Sequence, residues 1–236
     1  PGLSTRDARG GPLVWTYRLG RAILSPRTMT SEAHVSRTLG PYEIRSKLGR
    51  GVASVFWRAY DPALEREVAL CEPVIPHDLD PSTRAAFLAD FLQQGETAAR
   101  LSHPGLVRVY AAEVYDDRPV LVTEMVEGES LAQVLARGAL GTSSALYVLD
   151  QLLDATAYAH SEGVVHEAIT PENILVTREG RVKISGCGIA RLCNPVLGDR
   201  KATLSAPGYV APEQIAGEDV DRRADLFAIG VLGYEM

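Results

Sequence analysis

The chain has 236 residues, enough for one domain of two lobes or for two small domains. Hydrophobic residues make up 46% and charged residues 23%, which are ordinary globular values and exclude a disordered, collagen-like or coiled-coil chain. The net charge of -6 argues against nucleic acid as a partner, because no basic face is expected to dominate the surface.

Both ends of the chain predict a fragment. Residues 1–40 are rich in Gly, Arg and Ser without a clear period, and we expect an irregular or disordered extension there. Met29 would make a natural start, so the residues before it are either an upstream linker or a wrongly assigned extension. Residues 225–236 have the pattern of a buried helix that stops midway, which predicts an incomplete final lobe.

Alternating apolar and polar residues predict a strand at 42–48, and two further strands are predicted near the start of the domain, at 55–60 and 67–74. Gly49 and Gly51 lie in the turn between the first two strands. A glycine pair of this kind occurs in ordinary hairpins. It also suits a loop whose N–H groups approach phosphate oxygens without a side chain in the way.

Helical and strand patterns then alternate along the chain. Residues 81–101 carry an apolar stripe at helical spacing, and the helix is expected to end before His103-Pro104, because the residue before a proline disfavours helix. Strands are predicted at 106–115 and 119–126, a short helix at 130–137 and a long apolar helix at 144–163. Two short strands are predicted within residues 176–185, around a turn at Glu179-Gly180.

The cysteines and the hydropathy indicate a cytoplasmic location. Cys71, Cys187 and Cys193 have neither metal-ligand spacing nor an even-numbered disulfide framework, which is typical of reduced intracellular thiols. No apolar run reaches the length of a membrane span, and residues 12–17 are too short and polar for the core of a secretory signal. We expect a cytoplasmic protein or the cytoplasmic part of a membrane-anchored one.

The stretch after the long helix, H-E-A-I-T-P-E-N-I-L at residues 166–175, resembles the catalytic loop of the protein kinase family, H-R-D-L-K-P-E-N-I-L. Residues 183–191, K-I-S-G-C-G-I-A-R, resemble K-I-x-D-F-G-I-A-R. Residues 205–214, S-A-P-G-Y-V-A-P-E-Q, resemble G-T-P-x-Y-x-A-P-E-Q. A turn before a helix would explain the second stretch alone, but the likeness continues in the family's order over residues 42–236. It is strongest to bacterial serine/threonine kinases.

This resemblance implies an α+β fold of two lobes. The amino-terminal lobe, residues 41–126, is expected to be a five-stranded antiparallel sheet with the helix of residues 81–101. The carboxy-terminal lobe, residues 127–236, is expected to be mainly helical and truncated. Asp225 matches the buried Asp that holds the backbone of the family's catalytic loop from the next helix.

In the amino-terminal lobe, the charged pair that binds phosphate in this family is replaced. Cys71 stands at the position of the phosphate-binding lysine, and Gln94 stands at the position of that lysine's glutamate partner. We expect Gln94 to lie opposite Cys71, because a half-buried glutamate without its lysine would be costly. Cys71 could serve as a reactive thiol, but we favour a small residue that fills the space of the lysine, because no cation nearby would lower its pKa.

In the carboxy-terminal lobe, the replaced residues are those that handle protons, phosphate or magnesium. The catalytic Asp is Ala168, the catalytic-loop Lys is Thr170 and the magnesium-binding Asp is Gly186. The family's loop Arg is Glu167, and the Thr that bonds the catalytic Asp and Lys is Ala206. The retained positions are structural ones: His166, Pro171, Asn173, Leu175, Gly188, Ala211, Pro212, Glu213 and Asp225.

The resemblance also assigns a nucleotide cleft. Phe56 replaces the Val that lies over adenine, so its ring would take space that the base needs. The carbonyl of Glu124 and the N–H of Val126 would meet adenine through the backbone, which requires no particular side chain. The candidate nucleotide-binding residues are Leu48, Gly49, Gly51, Phe56, Ala69, Thr123, Glu124, Val126 and Leu175.

These losses favour a pseudokinase, a kinase-shaped binding or regulatory module with an unidentified protein partner. We expect no metal and no cofactor, with ATP bound without magnesium as the remaining ligand candidate. One alternative is an unorthodox, weakly active transferase that uses Asn173, Glu167 and Glu172. Another is a nonfunctional or wrongly assigned fragment, which the two ragged ends suggest.

Overall fold

A computed structural model describes residues 37–50, 54–76, 79–186 and 207–236. The predicted extension over residues 1–40 therefore lies almost wholly outside the described residues. Within its last part, β1 (Thr38–Leu39) pairs with the next strand in the register Leu39 to Tyr42. The amino-terminal lobe thus begins a few residues before the predicted boundary at residue 41.

A twisted antiparallel sheet forms the amino-terminal lobe. Its further strands are β2 (Tyr42–Arg50), β3 (Ser54–Asp61), β4 (Arg66–Pro73), β5 (Val109–Tyr115) and β6 (Arg118–Glu124). The strand order is β1-β2-β3-β4-β6-β5, so the described sheet has six strands rather than the five expected, because β1 adds a short edge strand. Apart from β1, these strands are those predicted from the sequence, and no boundary is shifted by more than three residues.

One helix, α1 (Pro81–Arg100), packs on this sheet. Asp80 caps its amino terminus by accepting hydrogen bonds from the N–H groups of Ser82 at 3.1 Å and Thr83 at 2.9 Å. The helix buries Phe87, Phe91, Gly95 and Ala98 against the sheet. Gly95 sits so close to β5 that an added Cβ would lie 2.1 Å from the Cβ of Ala112. The close packing of α1 on β5 therefore requires glycine at position 95.

The carboxy-terminal lobe combines helices with a small second sheet. Its helices are α2 (Leu131–Leu135), α3 (Thr142–Ser161), α4 (Pro212–Ala216) and α5 (Arg222–Glu235). Its strands, in the order β7-β8-β9, are β7 (Gly128–Ser130), β8 (Ile174–Thr177) and β9 (Val182–Ile184). Short 3-10 turns cover Pro171–Asn173 and Pro207–Tyr209.

The core of this lobe gathers apolar side chains from the helices, the catalytic-loop stretch and the small sheet. Leu152 on α3 and Leu232 on α5 are 0% exposed, and Ile169, Ile174 and Ile184 are at most 1% exposed. α2 is shorter than predicted, because Ser130 acts as its cap in a reciprocal box with Gln133. In the part of the chain that the structure describes, no helix is long and apolar enough to cross a membrane.

Candidate functional site

The catalytic-loop stretch is held by one buried carboxylate on α5. Asp225 is 1% exposed, and it accepts hydrogen bonds from the backbone N–H groups of His166 at 2.9 Å and Glu167 at 2.8 Å. The ring Nε2 of His160, on α3, lies 2.8 Å from the same carboxylate. A buried carboxylate is tolerated only when it is bonded in this way. The role predicted for Asp225 is confirmed, and His160 is a partner that the sequence analysis did not identify.

His166 connects the loop to β9. Its Nδ1 accepts the N–H of Ala168 at 3.2 Å, and its Nε2 lies 3.0 Å from the carbonyl oxygen of Ser185. These partners assign the proton of the neutral ring to Nε2, which donates to Ser185. Desolvation by burial lowers the pKa of His166 below its usual value, although the negative charge of Asp225 opposes that shift. The retained histidine is therefore a neutral structural connector.

Asn173 lies at the centre of the substituted positions. Its side-chain Nδ2 donates to the backbone carbonyl of Ala168 at 2.9 Å, and its backbone carbonyl accepts the N–H of Ser185 at 2.8 Å. The structure thus brings together Ala168, Asn173 and Gly186, which follows Ser185. Thr170 precedes the 3-10 turn, and its carbonyl accepts the N–H of Asn173 at 3.0 Å. The backbone frame is complete where the charged side chains have been replaced.

Gly186 has a backbone conformation that few residues adopt. Its φ is +82°, and an added Cβ would meet no atom within 4 Å. Asp and Asn tolerate this left-handed region better than most residues with side chains. A carboxylate restored here would meet no described atom beyond its chain neighbours, but the positive φ would strain its backbone. The neighbouring motif residues Cys187 and Gly188 lie outside the described residues, as do Cys193 and Ala206.

Several candidate nucleotide residues share one face of the amino-terminal sheet. Phe56 on β3 pairs directly with Cys71 on β4 and with Gly49 on β2, and paired residues of antiparallel strands place their side chains on the same face. Ala69 lies two residues before Cys71 and pairs with Thr123, so it belongs to this face as well. Gly51 lies outside the described residues, and the effect of Phe56 on a bound base stays a prediction.

Cys71 belongs to an apolar environment. It is half-buried and packs against the cluster that includes Phe87 and Phe91 of α1. Such packing supports the interpretation that it fills the space of a lysine side chain. Gln94, one turn further along α1, donates from Nε2 to Asp90 on the same helix at 3.0 Å. The opposition of Gln94 and Cys71 stays a prediction.

Gln94 also lines a groove between the lobes. The groove has a volume of about 340 Å³, and its walls are α1 and the chain around residues 163–167. Asp90 and Glu167 contribute carboxylates to it, while Gln93 and Gln94 contribute amides. Glu167 itself has φ of +64°, a left-handed conformation stabilised by the bond of its N–H to Asp225. The side chain that replaces the family's loop Arg is therefore negative at a place where the resemblance implies a phosphate contact.

The expected hinge begins at Glu124, the last residue of β6, which makes polar contacts through both its backbone and its side chain. The Glu124 N–H donates to the carbonyl of Arg108 at 2.8 Å, and its carboxylate accepts the N–H of Arg108 at 3.2 Å. The same carboxylate forms an ion pair with Nζ of Lys183 on β9 at 2.9 Å. Thr123 Oγ1 lies 3.3 Å from the carbonyl of Ala69 and 3.4 Å from that of Glu124. Sequence analysis gave Lys183 no role, because its partner lies far away along the chain.

The remaining cleft candidates come from both lobes. Leu48 is 47% exposed on β2, whereas Val126 is half-buried just after β6. Leu175 is half-buried on β8, where it pairs with Ser130 and Lys183. Leu175 is thus positioned by the small sheet next to the lysine that contacts the hinge. Whether these side chains bind a base stays a prediction.

Two lobes joined by a hinge, with a loop held from α5 beneath the cleft, define a kinase-like domain. Residues 42–236 match the family model described as the protein kinase domain. The chain belongs to the protein kinase family, and its curated relatives include bacterial serine/threonine kinases.

Two curated relatives show the extent of this likeness. The chain is 37% identical over 207 residues to the probable serine/threonine-protein kinase SCO3848 of Streptomyces coelicolor, with 84% of this chain and 30% of the relative covered. It is 31% identical over 202 residues to PrkC of Bacillus subtilis, with 85% and 31% covered. The chain thus spans about a third of the length of these relatives.

A solved structure with a similar fold is the PknI kinase domain of Mycobacterium tuberculosis. The two share 26% sequence identity and a TM-score of 0.68. The match covers 86% of this chain and 74% of that domain. The expected two-lobed kinase fold is therefore confirmed.

Proposed function

We propose that this chain is a catalytically inactive kinase-like domain that acts as a binding or regulatory module in cytoplasmic signalling of a bacterium. The observation that carries the proposal is the contrast within one loop. Asp225 and Asn173 keep their backbone bonds to the loop, whereas Ala168, Thr170 and Gly186 supply no charge at the positions where the family carries it.

The lost groups are those on which phosphoryl transfer depends. Catalysis of this reaction consists almost entirely of positioning and electrostatic stabilisation, and kinase turnover is only about 1–100 per second. Loss of a general base alone lowers a rate by a factor on the order of 10²–10⁴. The metal's contribution is several kcal/mol more, although such losses are not additive. A chain without the base, the lysine and the metal ligand should therefore retain almost no transferase activity.

The metal site of the family is also poorly supported. Asn173 commits its Nδ2 to the carbonyl of Ala168, so it can offer a metal only its neutral amide oxygen. Magnesium in nucleotide sites is usually held through one or two carboxylates. Nucleotide without magnesium is therefore the ligand that we propose for the cleft.

The backbone of the hinge supports that ligand. The Glu124 carbonyl and the Val126 N–H are the groups that would pair with an adenine edge, and they belong to a segment fixed by Arg108 and Lys183. Such backbone contacts do not use the charged side chains that are replaced at Cys71, Ala168, Thr170 and Gly186. The signalling role follows from the same reasoning, because a domain that holds a ligand without chemistry can act through a change in shape or partner binding.

The test combines a transfer assay with a binding assay on the 236-residue chain. We expect no labelled phosphate on the chain itself or on a generic basic substrate, with magnesium or manganese and ATP, above a mock preparation. We expect ATP or ADP to raise the melting temperature, and magnesium to leave that rise unchanged. Transfer by the unaltered chain would show that the weakly active transferase is the correct alternative.

A restored variant supplies the matched control. Cys71→Lys, Ala168→Asp, Thr170→Lys and Gly186→Asp return the family's charged groups, and the space around Gly186 admits the new side chain. We expect this variant to bind ADP more tightly when magnesium is present, unlike the unaltered chain. Equal magnesium dependence of the two proteins would contradict the argument that these four positions account for the lost metal site.

A further inference from the structure

One ion pair crosses from the hinge to the carboxy-terminal lobe. Lys183 Nζ lies 2.9 Å from Oε2 of Glu124, and the two side chains are 16% and 28% exposed. Partial burial makes such a pair stronger than a surface ion pair, because solvent screens it less. The two residues lie 59 positions apart in the chain, so the pair exists only through the arrangement of the lobes.

Further bonds fasten the same region of the amino-terminal lobe to β9. The Val107 N–H donates to the carbonyl of Ile184 at 2.9 Å, and the Ile184 N–H donates to the carbonyl of Gly105 at 2.8 Å. Lys183 Nζ also approaches the carbonyl of Leu106 at 3.4 Å. The loop between α1 and β5 is thus already held on β9, and the lysine extends that attachment to Glu124.

Glu124 is the residue through which this attachment reaches the cleft. Its carboxylate pairs with the ammonium of Lys183 and accepts the N–H of Arg108, and its backbone N–H donates to the carbonyl of Arg108. Its carbonyl is the group that the proposed nucleotide would meet. Fixing the side chain and the N–H of one residue restricts how far its carbonyl can turn.

We propose that Lys183 is a positioning residue of the nucleotide cleft, which orients the hinge carbonyl of Glu124 through their ion pair between the lobes. This inference rests on the proposed nucleotide site. The inference also assigns a function to Lys183, a lysine that lies near the cleft. Of the other two lysines in the sequence, Lys47 is exposed on β2 and Lys201 lies outside the described residues.

Removal of the ammonium should loosen the hinge rather than unfold the domain. In Lys183→Met the carboxylate of Glu124 loses its counter-charge, and only its long bond to the N–H of Arg108, at 3.2 Å, then opposes its rotation toward solvent. A ligand must then order the hinge when it binds, which weakens binding by about three- to tenfold. Lys183→Arg keeps the charge and is expected to bind within about twofold of the unaltered chain.

The matched control is an ion pair of similar burial inside one lobe. Arg118 Nε donates to Oε1 of Glu72 at 2.6 Å, and the two side chains are 33% and 14% exposed. Both residues belong to the amino-terminal sheet, on β6 and β4. Arg118→Met should therefore lower stability without affecting the hinge.

The experiment measures ligand affinity and hinge mobility separately. Affinity is titrated with fluorescent mant-ADP in the absence of magnesium, for the unaltered chain and for the Lys183→Met, Lys183→Arg and Arg118→Met variants. Amide hydrogen exchange of the ligand-free proteins reports the protection of residues 124–126 and of Arg108. We expect Lys183→Met alone to weaken mant-ADP binding and to speed exchange at residues 124–126.

Two results would overturn the proposal. The first is unchanged exchange at residues 124–126 in Lys183→Met. The second is equal loss of affinity in Lys183→Met and Arg118→Met, which would indicate general destabilisation. If the unaltered chain fails to bind mant-ADP, the proposed nucleotide site is wrong, and the exchange comparison alone decides whether Lys183 holds the hinge.

Discussion

Replacing Asp225 with alanine tests how the catalytic-loop frame is held. The substitution removes a carboxylate that is 1% exposed and that accepts two backbone N–H groups and contacts one imidazole. All three contacts lie between 2.8 and 2.9 Å, so each is a short, charge-assisted bond. Alanine offers no acceptor, so His166 and Glu167 keep buried N–H groups without their partner.

The size of the effect follows from these bonds. A hydrogen bond to a charged group contributes about 1.5–3 kcal/mol, and three contacts that share one carboxylate do not add fully. We therefore expect Asp225→Ala to lower the free energy of unfolding by about 3–6 kcal/mol. That loss is a large part of the roughly 5–15 kcal/mol that stabilises a typical domain.

Urea denaturation measures this loss, and the same helix offers a control. Asp221 caps α5 by accepting the N–H of Arg223 at 2.8 Å, but it is exposed to solvent. We expect a clearly smaller loss for Asp221→Ala. Hydrogen exchange at His166 and Glu167 should accelerate in Asp225→Ala only. Equal losses in the two variants would refute the view that Asp225 holds the loop.

Three further predictions concern the packing and the pH dependence. Gly95→Ala should destabilise the amino-terminal lobe, because its new Cβ would lie 2.1 Å from that of Ala112. The overpacking cost of about 1–3 kcal/mol exceeds the gain in helix propensity of about 1 kcal/mol, and a raised urea midpoint would contradict this prediction. Leu152→Ala should cost about 2–5 kcal/mol in urea denaturation, whereas the control Leu153→Ala, at a site 45% exposed, should change stability by about 0.5 kcal/mol or less. Burial lowers the pKa of His166 below 6.5, so at acidic pH the unfolded chain binds a proton more readily than the folded chain does. The free energy of unfolding should therefore decrease as the pH is lowered below about 6.5, by up to about 1.4 kcal/mol per pH unit. His166→Gln should reduce that slope, and an unchanged slope would show that another group causes it.

Much of the fold could be predicted from local patterns. Alternation identified β2, and helical spacing placed α1 within one residue of its end, because both periods follow directly from backbone geometry. The strands predicted at 55–60 and 67–74 match β3 and β4 within one residue at each end. The start of β5 was less accurate. Residues 106–108 have a strand-like sequence, but Gly105 and Val107, on either side of Leu106, bond to the backbone of Ile184 in the other lobe. A local pattern contains no information about such a partner.

The candidate site, like the fold, could be predicted from the sequence only in part. The resemblance of residues 166–175 to the family's catalytic loop identified Ala168 and Thr170 as substituted positions. The same resemblance gave Asp225, on a later helix, the role that its bonds to His166 and Glu167 confirm. Gln94 shows the limit of this reasoning, since the structure bonds its amide to Asp90. Counting residues along a helix identifies a position but not the group that the side chain contacts.

By itself, the sequence determined which of the family's charged residues are replaced: Ala168 and Thr170 stand in the loop where the family has Asp and Lys, whatever the chain's conformation. Only the tertiary structure decided which of the remaining charges meet. Lys183 reaches Glu124 across 59 residues, and His160 reaches Asp225 across 65. The physical reason is that an ion pair or a hydrogen bond depends on a separation of about 3 Å in space, which the folding of the whole chain sets and which residue spacing does not encode.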